Sequence, residues 1–111
     1  MHDLFDPTSI ELLIEDLGES ATREVLQLFF TDSAARLDRL HEDGAAPDSK
    51  SAACYARSLK NAAAAFGFMG LAELAQSLEA DADSLSAPEI AARARALSDA
   101  LATARSLSPL Q

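Results

Sequence analysis

Arg57, Lys60 and Asn61 are three or four positions apart and could together bind an anionic group. Residues at this spacing share one side of a helix, and the apolar residues of the same segment lie on the other side. Small side chains, Ala53 and Ala64, border this polar face. The pattern is also typical of an ordinary solvated helix surface. We interpret it as a local cationic spot suited to charge-assisted hydrogen bonds with carboxylates or phosphates.

Residues that usually catalyse reactions or bind metals are scarce in this chain. Histidine occurs only at positions 2 and 41, and neither belongs to a Glu-x-x-His pair of the kind that binds two iron ions in helical bundles. Cys54 is the only cysteine, which excludes an internal disulfide and a cysteine-based zinc site. We interpret His41 as an exposed residue at a helix end and Cys54 as an inert, partly buried thiol. The sequence therefore predicts a protein that is not an enzyme and holds no metal or cofactor.

Composition excludes several classes of partner. The 111 residues carry a formal net charge of −9, whereas nucleic acids and anionic membranes are bound through basic surfaces. The most apolar stretch, residues 62–72, is shorter than the roughly 20 residues needed to span a bilayer. The acidic N-terminus does not resemble a secretory signal. We expect a cytoplasmic protein that binds neither nucleic acid nor membrane.

Five amphipathic helices are predicted from apolar residues at spacings of three and four. Alanine and leucine dominate, while valine occurs once and isoleucine three times, which favours an all-α protein. Prolines 7, 47 and 88 stand where helices begin, and Ser86 and Glu89 have the spacing of a capping box. The predicted ranges are Pro7 to Leu17 for α1, Glu19 or Ser20 to His41 for α2, Pro47 to Phe66 for α3, Phe68 to about Leu85 for α4, and from Ser86 to about Leu107 for α5.

One face of each predicted helix is apolar and is expected to be buried. Four long helices with short connections bury such faces most simply as an antiparallel up-down four-helix bundle, with the short α1 packed against it. We predict that residues 1–111 form this single domain. The side chains expected to point inward are Ile10, Leu13, Ile14 and Leu17 in α1; Leu26, Phe29, Ser33, Leu37 and Leu40 in α2; Ala52, Ala56, Leu59, Ala63 and Phe66 in α3; Leu71, Leu74, Ala75, Leu78 and Ala82 in α4; and Ile90, Ala94, Leu97, Leu101 and Ala104 in α5.

The order of these helices and several short motifs resemble the histidine-containing phosphotransfer (Hpt) domain of phosphorelays. The resemblance covers residues 4–105 and is most specific in α3. It implies a helical bundle that docks the receiver domain of a response regulator or of a hybrid histidine kinase. The motifs that carry it are Phe5-Asp6-Pro7, Leu17-Gly18, the run from Leu26 to Phe30, Ala56-Arg57-Ser58-Leu59-Lys60-Asn61, Phe66-Gly67 and the segment from Leu71 to Glu79.

The chain departs from the family pattern at the position that carries the phosphoryl group. The family motif reads Ala-His-Ser-Leu-Lys-Gly, so Arg57 stands at the phospho-accepting histidine and Asn61 at the following glycine. A guanidinium stays protonated and cannot accept a phosphoryl group. Lys60, which in the family balances the phosphoryl charge, remains. His41 is expected roughly 15 Å from Arg57 by helical rise and is a poor substitute. The second departure, Asn61, favours a naturally degenerate site over a single engineered change.

A second candidate surface lies in the first half of α2, where apolar side chains cover about 200° of the helix. This arc is wider than one core face needs, so part of it is either exposed for binding or buried by flanking helices. The arc consists of Val25, Leu26, Leu28, Phe29 and Phe30. We predict that Leu26 and Phe30 join Arg57, Lys60, Asn61, Ala53 and Ala64 in contacting the partner.

These observations predict a phosphorelay protein that binds receiver domains without carrying phosphate, as an adaptor, decoy or inhibitor. A monomer is expected rather than a dimer. One alternative is a helical bundle that serves oligomerisation or protein interaction outside two-component signalling. Another is a transmitter, either a kinase-like dimerisation bundle or an Hpt protein phosphorylated at another residue.

Overall fold

Helices α2 to α5 form a four-helix bundle, and α1 is an additional helix that lies against α2. The computed structural model describes residues 5–41 and 48–110, with His41 by its backbone alone. Two pairs of helices, α3 with α4 and α2 with α5, pack most extensively. The predicted all-α bundle is confirmed. The helices are α1 Pro7–Leu17, α2 Glu19–His41, α3 Ser49–Ala65, α4 Met69–Asp81 and α5 Ala87–Leu107, with a 3₁₀ turn at Ala82–Ser84.

Capping residues explain where most of the helices begin. Asp6 and Asp48 cap α1 and α3, and each carboxylate accepts a hydrogen bond from a backbone N–H in the first turn. The capping box at α5 is confirmed: Ser86 accepts from the Glu89 N–H and Glu89 accepts from the Ser86 N–H. That second hydrogen bond lowers the pKa of the Glu89 carboxyl below its usual value. Pro47 and the predicted connector around it lie outside the described residues.

Two predicted helix limits differ from the structure by two residues or more. The first turn of α3 begins at Ser49, because Asp48 is its N-cap. The end of α4 comes at Asp81 instead of near Leu85, because residues 82–84 tighten into the 3₁₀ turn. Such turns are frequent at the C-terminal ends of α-helices.

The core is formed by the predicted inward faces, with two exceptions. All five predicted residues of α3 and all five of α5 are buried. Leu17 and Leu74, however, are 52% and 44% exposed. Leu17 is the last residue of the short α1, and Leu74 is four residues before the fully buried Leu78, on the edge of the apolar face of α4. The predicted inward faces of α1 and α4 are therefore wider than the faces that are buried.

A cluster of phenylalanines at the α3–α4 turn attaches α1 to the bundle. Phe68 is buried, and its ring centroid lies 5.3 Å from that of Phe5, which immediately precedes α1, and 5.5 Å from that of Phe30 in α2. Gly67 has the positive φ of 83° that closes α3, and its carbonyl accepts a 2.8 Å hydrogen bond from the Asp6 N–H. One turn thus joins α3, α4 and the start of α1.

A tyrosine links α2 to α3 on the other side of the bundle. The Tyr55 hydroxyl donates a hydrogen bond to the Ser33 carbonyl at 3.3 Å, and the Arg36 guanidinium lies 5.7 Å from the centre of the tyrosine ring. Burial raises the pKa of the Tyr55 hydroxyl, so it keeps the proton that it donates. These contacts fix the orientation of the first half of α3.

Candidate functional site

Two cations of α3 converge on one carboxylate of α4. Arg57 Nε donates to Glu79 Oε2 at 2.7 Å, and Lys60 Nζ donates to Glu79 Oε1 at 2.8 Å. Each carboxylate oxygen of Glu79 therefore accepts a hydrogen bond from a different residue of α3. We call these three residues the Glu79 clamp.

The members of the Glu79 clamp differ sharply in exposure. The Glu79 side chain is 18% exposed and that of Lys60 is 29% exposed, whereas that of Arg57 is 70% exposed. Only Nε of Arg57 is bound by the clamp. Within residues 5–41 and 48–110, the hydrogen bond of Arg57 to Glu79 starts from Nε and not from a terminal nitrogen. The clamp therefore presents the outer edge of one guanidinium to solvent.

Hydrogen bonds within the clamp favour the charged forms of Glu79 and Arg57. The hydrogen bond from Lys60, and then that from Arg57, lower the pKa of the Glu79 carboxyl below its usual value. The hydrogen bond to Glu79 raises the pKa of Arg57 further above its already high value. Because the carboxylate balances one of the two cations, the clamp carries a net charge of about +1.

The other predicted residues of this face lie where the helical spacing places them. Asn61 and Ala64 are exposed on α3, and Ala53 is partly buried. Cys54, which we expected to be partly buried, is exposed. Small alanine side chains therefore border the exposed Arg57 on this face.

The prediction that Leu26 and Phe30 contact a partner is wrong. They are 1% and 4% exposed and belong to the core, because positions four apart on α2 face the phenylalanine cluster. Val25 and Leu28 of the same arc are 40% and 70% exposed. The apolar arc of α2 is thus divided, with one side in the core and Val25 and Leu28 on the surface.

Other chemistry is not evident in the described part of the chain. No group of three or more His, Cys, Asp or Glu side chains there is placed to hold a metal ion. His2 and the side chain of His41, which we interpreted as exposed, lie outside the described residues. None of the helices in residues 5–41 and 48–110 combines the length and apolar character that a membrane crossing requires.

The family follows from comparison with known proteins. The model of the Hpt domain matches residues 24–107, which is well over half of the chain. The chain belongs to the Hpt domain family. Hpt domains take part in two-component phosphorelays, in which they carry phosphoryl groups and interact with the receiver domains of response regulators. No curated protein and no solved structure matches the chain.

The Glu79 clamp lies within the region that the Hpt model matches, and α1 lies before that region. Residues 24–107 include all of α3, α4 and α5 and most of α2, whereas α1 ends at Leu17. The cationic spot of this Hpt domain was predicted from the sequence, but its carboxylate partner was not. In the sequence, Glu79 is only the last residue of the α4 motif. The sequence alone does not pair this carboxylate with Arg57 and Lys60. The pairing depends on the register in which α4 packs against α3, and the position of one acidic residue does not reveal that register.

Proposed function

We propose that this Hpt domain binds a receiver domain, of a response regulator or of a hybrid histidine kinase, without carrying phosphate itself. It acts as an adaptor, a decoy or an inhibitor of a competent phosphotransfer protein. One observation carries the proposal: Arg57 stands at the position where the family motif has its phospho-accepting histidine, and its guanidinium edge is exposed.

The chemistry of arginine supports both parts of the proposal, the binding of a receiver and the inability to carry phosphate. Imidazole accepts a phosphoryl group because a neutral form exists near pH 7, whereas the guanidinium stays protonated. The same guanidinium offers a planar fork of N–H donors that matches a carboxylate. A receiver's acidic pocket, which would otherwise take up the histidine, supplies such carboxylates.

The proposed docking surface combines polar and apolar parts. Arg57 and Asn61 form its polar part on α3, Lys60 lies beneath them bound to Glu79, and Ala53 and Ala64 allow close approach. The exposed Val25 and Leu28 of α2 supply apolar side chains in place of the buried Leu26 and Phe30. Hpt family membership supports an interface of this kind, since Hpt domains interact with receiver domains.

Replacing Arg57 with alanine should weaken receiver binding more than about fivefold, because a charge pair buried at an interface is lost. The binding constant is measured by calorimetric or NMR titration of the chain against the receiver domains of its organism. Arg95→Ala is the matched control, since Arg95 is an exposed arginine on α5, which packs mainly on α2 and α4. It changes the net charge equally and should leave the affinity unchanged.

Two outcomes would overturn the proposal in different ways. Equal affinities for Arg57→Ala and the native chain would show that the guanidinium does not enter the interface. A native chain that binds no receiver, together with a stable homodimer, would instead favour an oligomerisation module.

A further inference from the structure

Glu79 holds Arg57 by the nitrogen closest to the helix. The 2.7 Å hydrogen bond is made by Nε, the guanidinium nitrogen nearest the backbone, so it leaves the donors of both terminal nitrogens for a partner. An arginine side chain that is 70% exposed would otherwise sample many rotamers. Contact with a carboxylate that is only 18% exposed removes much of that freedom before any partner arrives.

We propose that Glu79 is a positioning residue, which fixes Arg57 so that its terminal N–H edge is presented to a carboxylate of the docking partner. This inference rests on the proposed function. It adds Glu79 as the residue that orients Arg57 within the docking surface. The geometry leaves a complete second donor edge on Arg57, so a partner carboxylate and Glu79 can be bound at the same time.

Lys60 has a defined role in this arrangement. It donates to the second oxygen of Glu79 at 2.8 Å and is itself mostly covered, at 29% exposure. It therefore anchors the carboxylate instead of projecting toward the partner. This assigns Lys60 a function in a chain that has no phosphohistidine to neutralise.

The opposite role for Glu79 would be competition with the partner for the two cations. The two roles predict opposite signs for one substitution. If Glu79 competes with the partner for Arg57 and Lys60, a substitution that removes its charge frees both cations and strengthens receiver binding. If it positions Arg57, neutralisation loosens the guanidinium and weakens docking, because ordering a long side chain then takes place on binding.

Glu79→Gln should weaken receiver binding about two- to tenfold. This is the effect expected when a flexible side chain, here that of Arg57, loses its rotamer freedom only on binding. Asp99→Asn is the matched control: Asp99 is exposed on α5, and the substitution removes the same unit of charge from a protein of net charge −9. Both affinities are measured by titration at one salt concentration. In an Arg57→Ala background, Glu79→Gln should have no further effect.

A second readout requires no partner. In the free native protein, the NMR signal of the Arg57 Nε–H should be resolved and slow to exchange, and Glu79→Gln should broaden or shift it. Lys60→Gln should produce a smaller change of the same kind, because it acts through Glu79.

The outcomes separate this inference from the proposed function. Failure of the native chain to bind any receiver would overturn the proposed function. Binding that Arg57→Ala weakens, but that Glu79→Gln leaves unchanged or tightens beyond the Asp99→Asn control, would overturn the positioning role alone. Arg57→Lys should bind more weakly than the native chain although it keeps the charge, since an ammonium lacks the planar fork.

Discussion

An Arg57→His, Asn61→Gly variant is expected to accept a phosphoryl group from a phosphorylated receiver, whereas the native chain stays unlabelled. The substitutions restore the family motif at both positions where the sequence departs from it. Position 57 is on the exposed face of α3, so an imidazole there is accessible, and its neutral form is nucleophilic near pH 7. Lys60, which in the family balances the phosphoryl charge, is retained one helical turn from position 57.

The measurement is transfer of labelled phosphate, followed by its lability in acid, which distinguishes phosphohistidine from phosphoserine. Arg57→Gln, Asn61→Gly serves as the control, because glutamine has no nucleophilic nitrogen at this position. Label on the native chain would show that another residue carries phosphate. A histidine variant that binds a receiver but takes up no label would contradict the assignment of position 57 to the acceptor site.

Gly67→Ala should lower the free energy of unfolding by about 3 kcal/mol. At a φ of 83°, an L-residue with a side chain costs roughly 1–2 kcal/mol, and the new Cβ would also overlap the carbonyl oxygen of Asp6. Relief of that overlap requires the start of α1 to move away from the turn. Chemical denaturation measures the loss of stability, and amide hydrogen exchange of Asp6 measures the release of α1.

Gly18→Ala is the informative comparison for this effect. Gly18 has a similar φ of 87°, but a Cβ there meets nothing within 4 Å. Its replacement also costs stability through backbone strain, yet it should leave the Asp6 amide protected. If Gly67→Ala kept that amide equally protected, the α3–α4 turn would not be what attaches α1 to the bundle.

Local sequence signals predicted the fold well because they act within one helical turn. The caps at Asp6 and Ser86 and the glycine after α3 specify backbone geometry by themselves, and the helix limits beside them agree with the structure. The end of α4 near Asp81 carries no glycine or proline, so no signal marked it. The exposure of Leu74 depends on where neighbouring helices stop covering α4, which periodicity does not encode.

The site was predictable only in its α3 half. Arg57 and Lys60 are one turn apart, so their common face follows from helical geometry. Glu79 reaches them only through the register of α4 against α3, which depends on the packing of the whole interface. For the same reason, the apolar arc of α2 did not reveal that Leu26 is buried and Leu28 exposed.

The contact of Tyr55 with Ser33 and Arg36 has an optical consequence. The chain has one tyrosine and no tryptophan, so Tyr55 dominates its ultraviolet emission. Its ring lies between α2 and α3, two positions before Arg57 along the chain. The fluorescence of the unlabelled protein is therefore a native probe of one helix contact beside the proposed docking surface. A binding partner that lacks both tryptophan and tyrosine can be titrated against it directly.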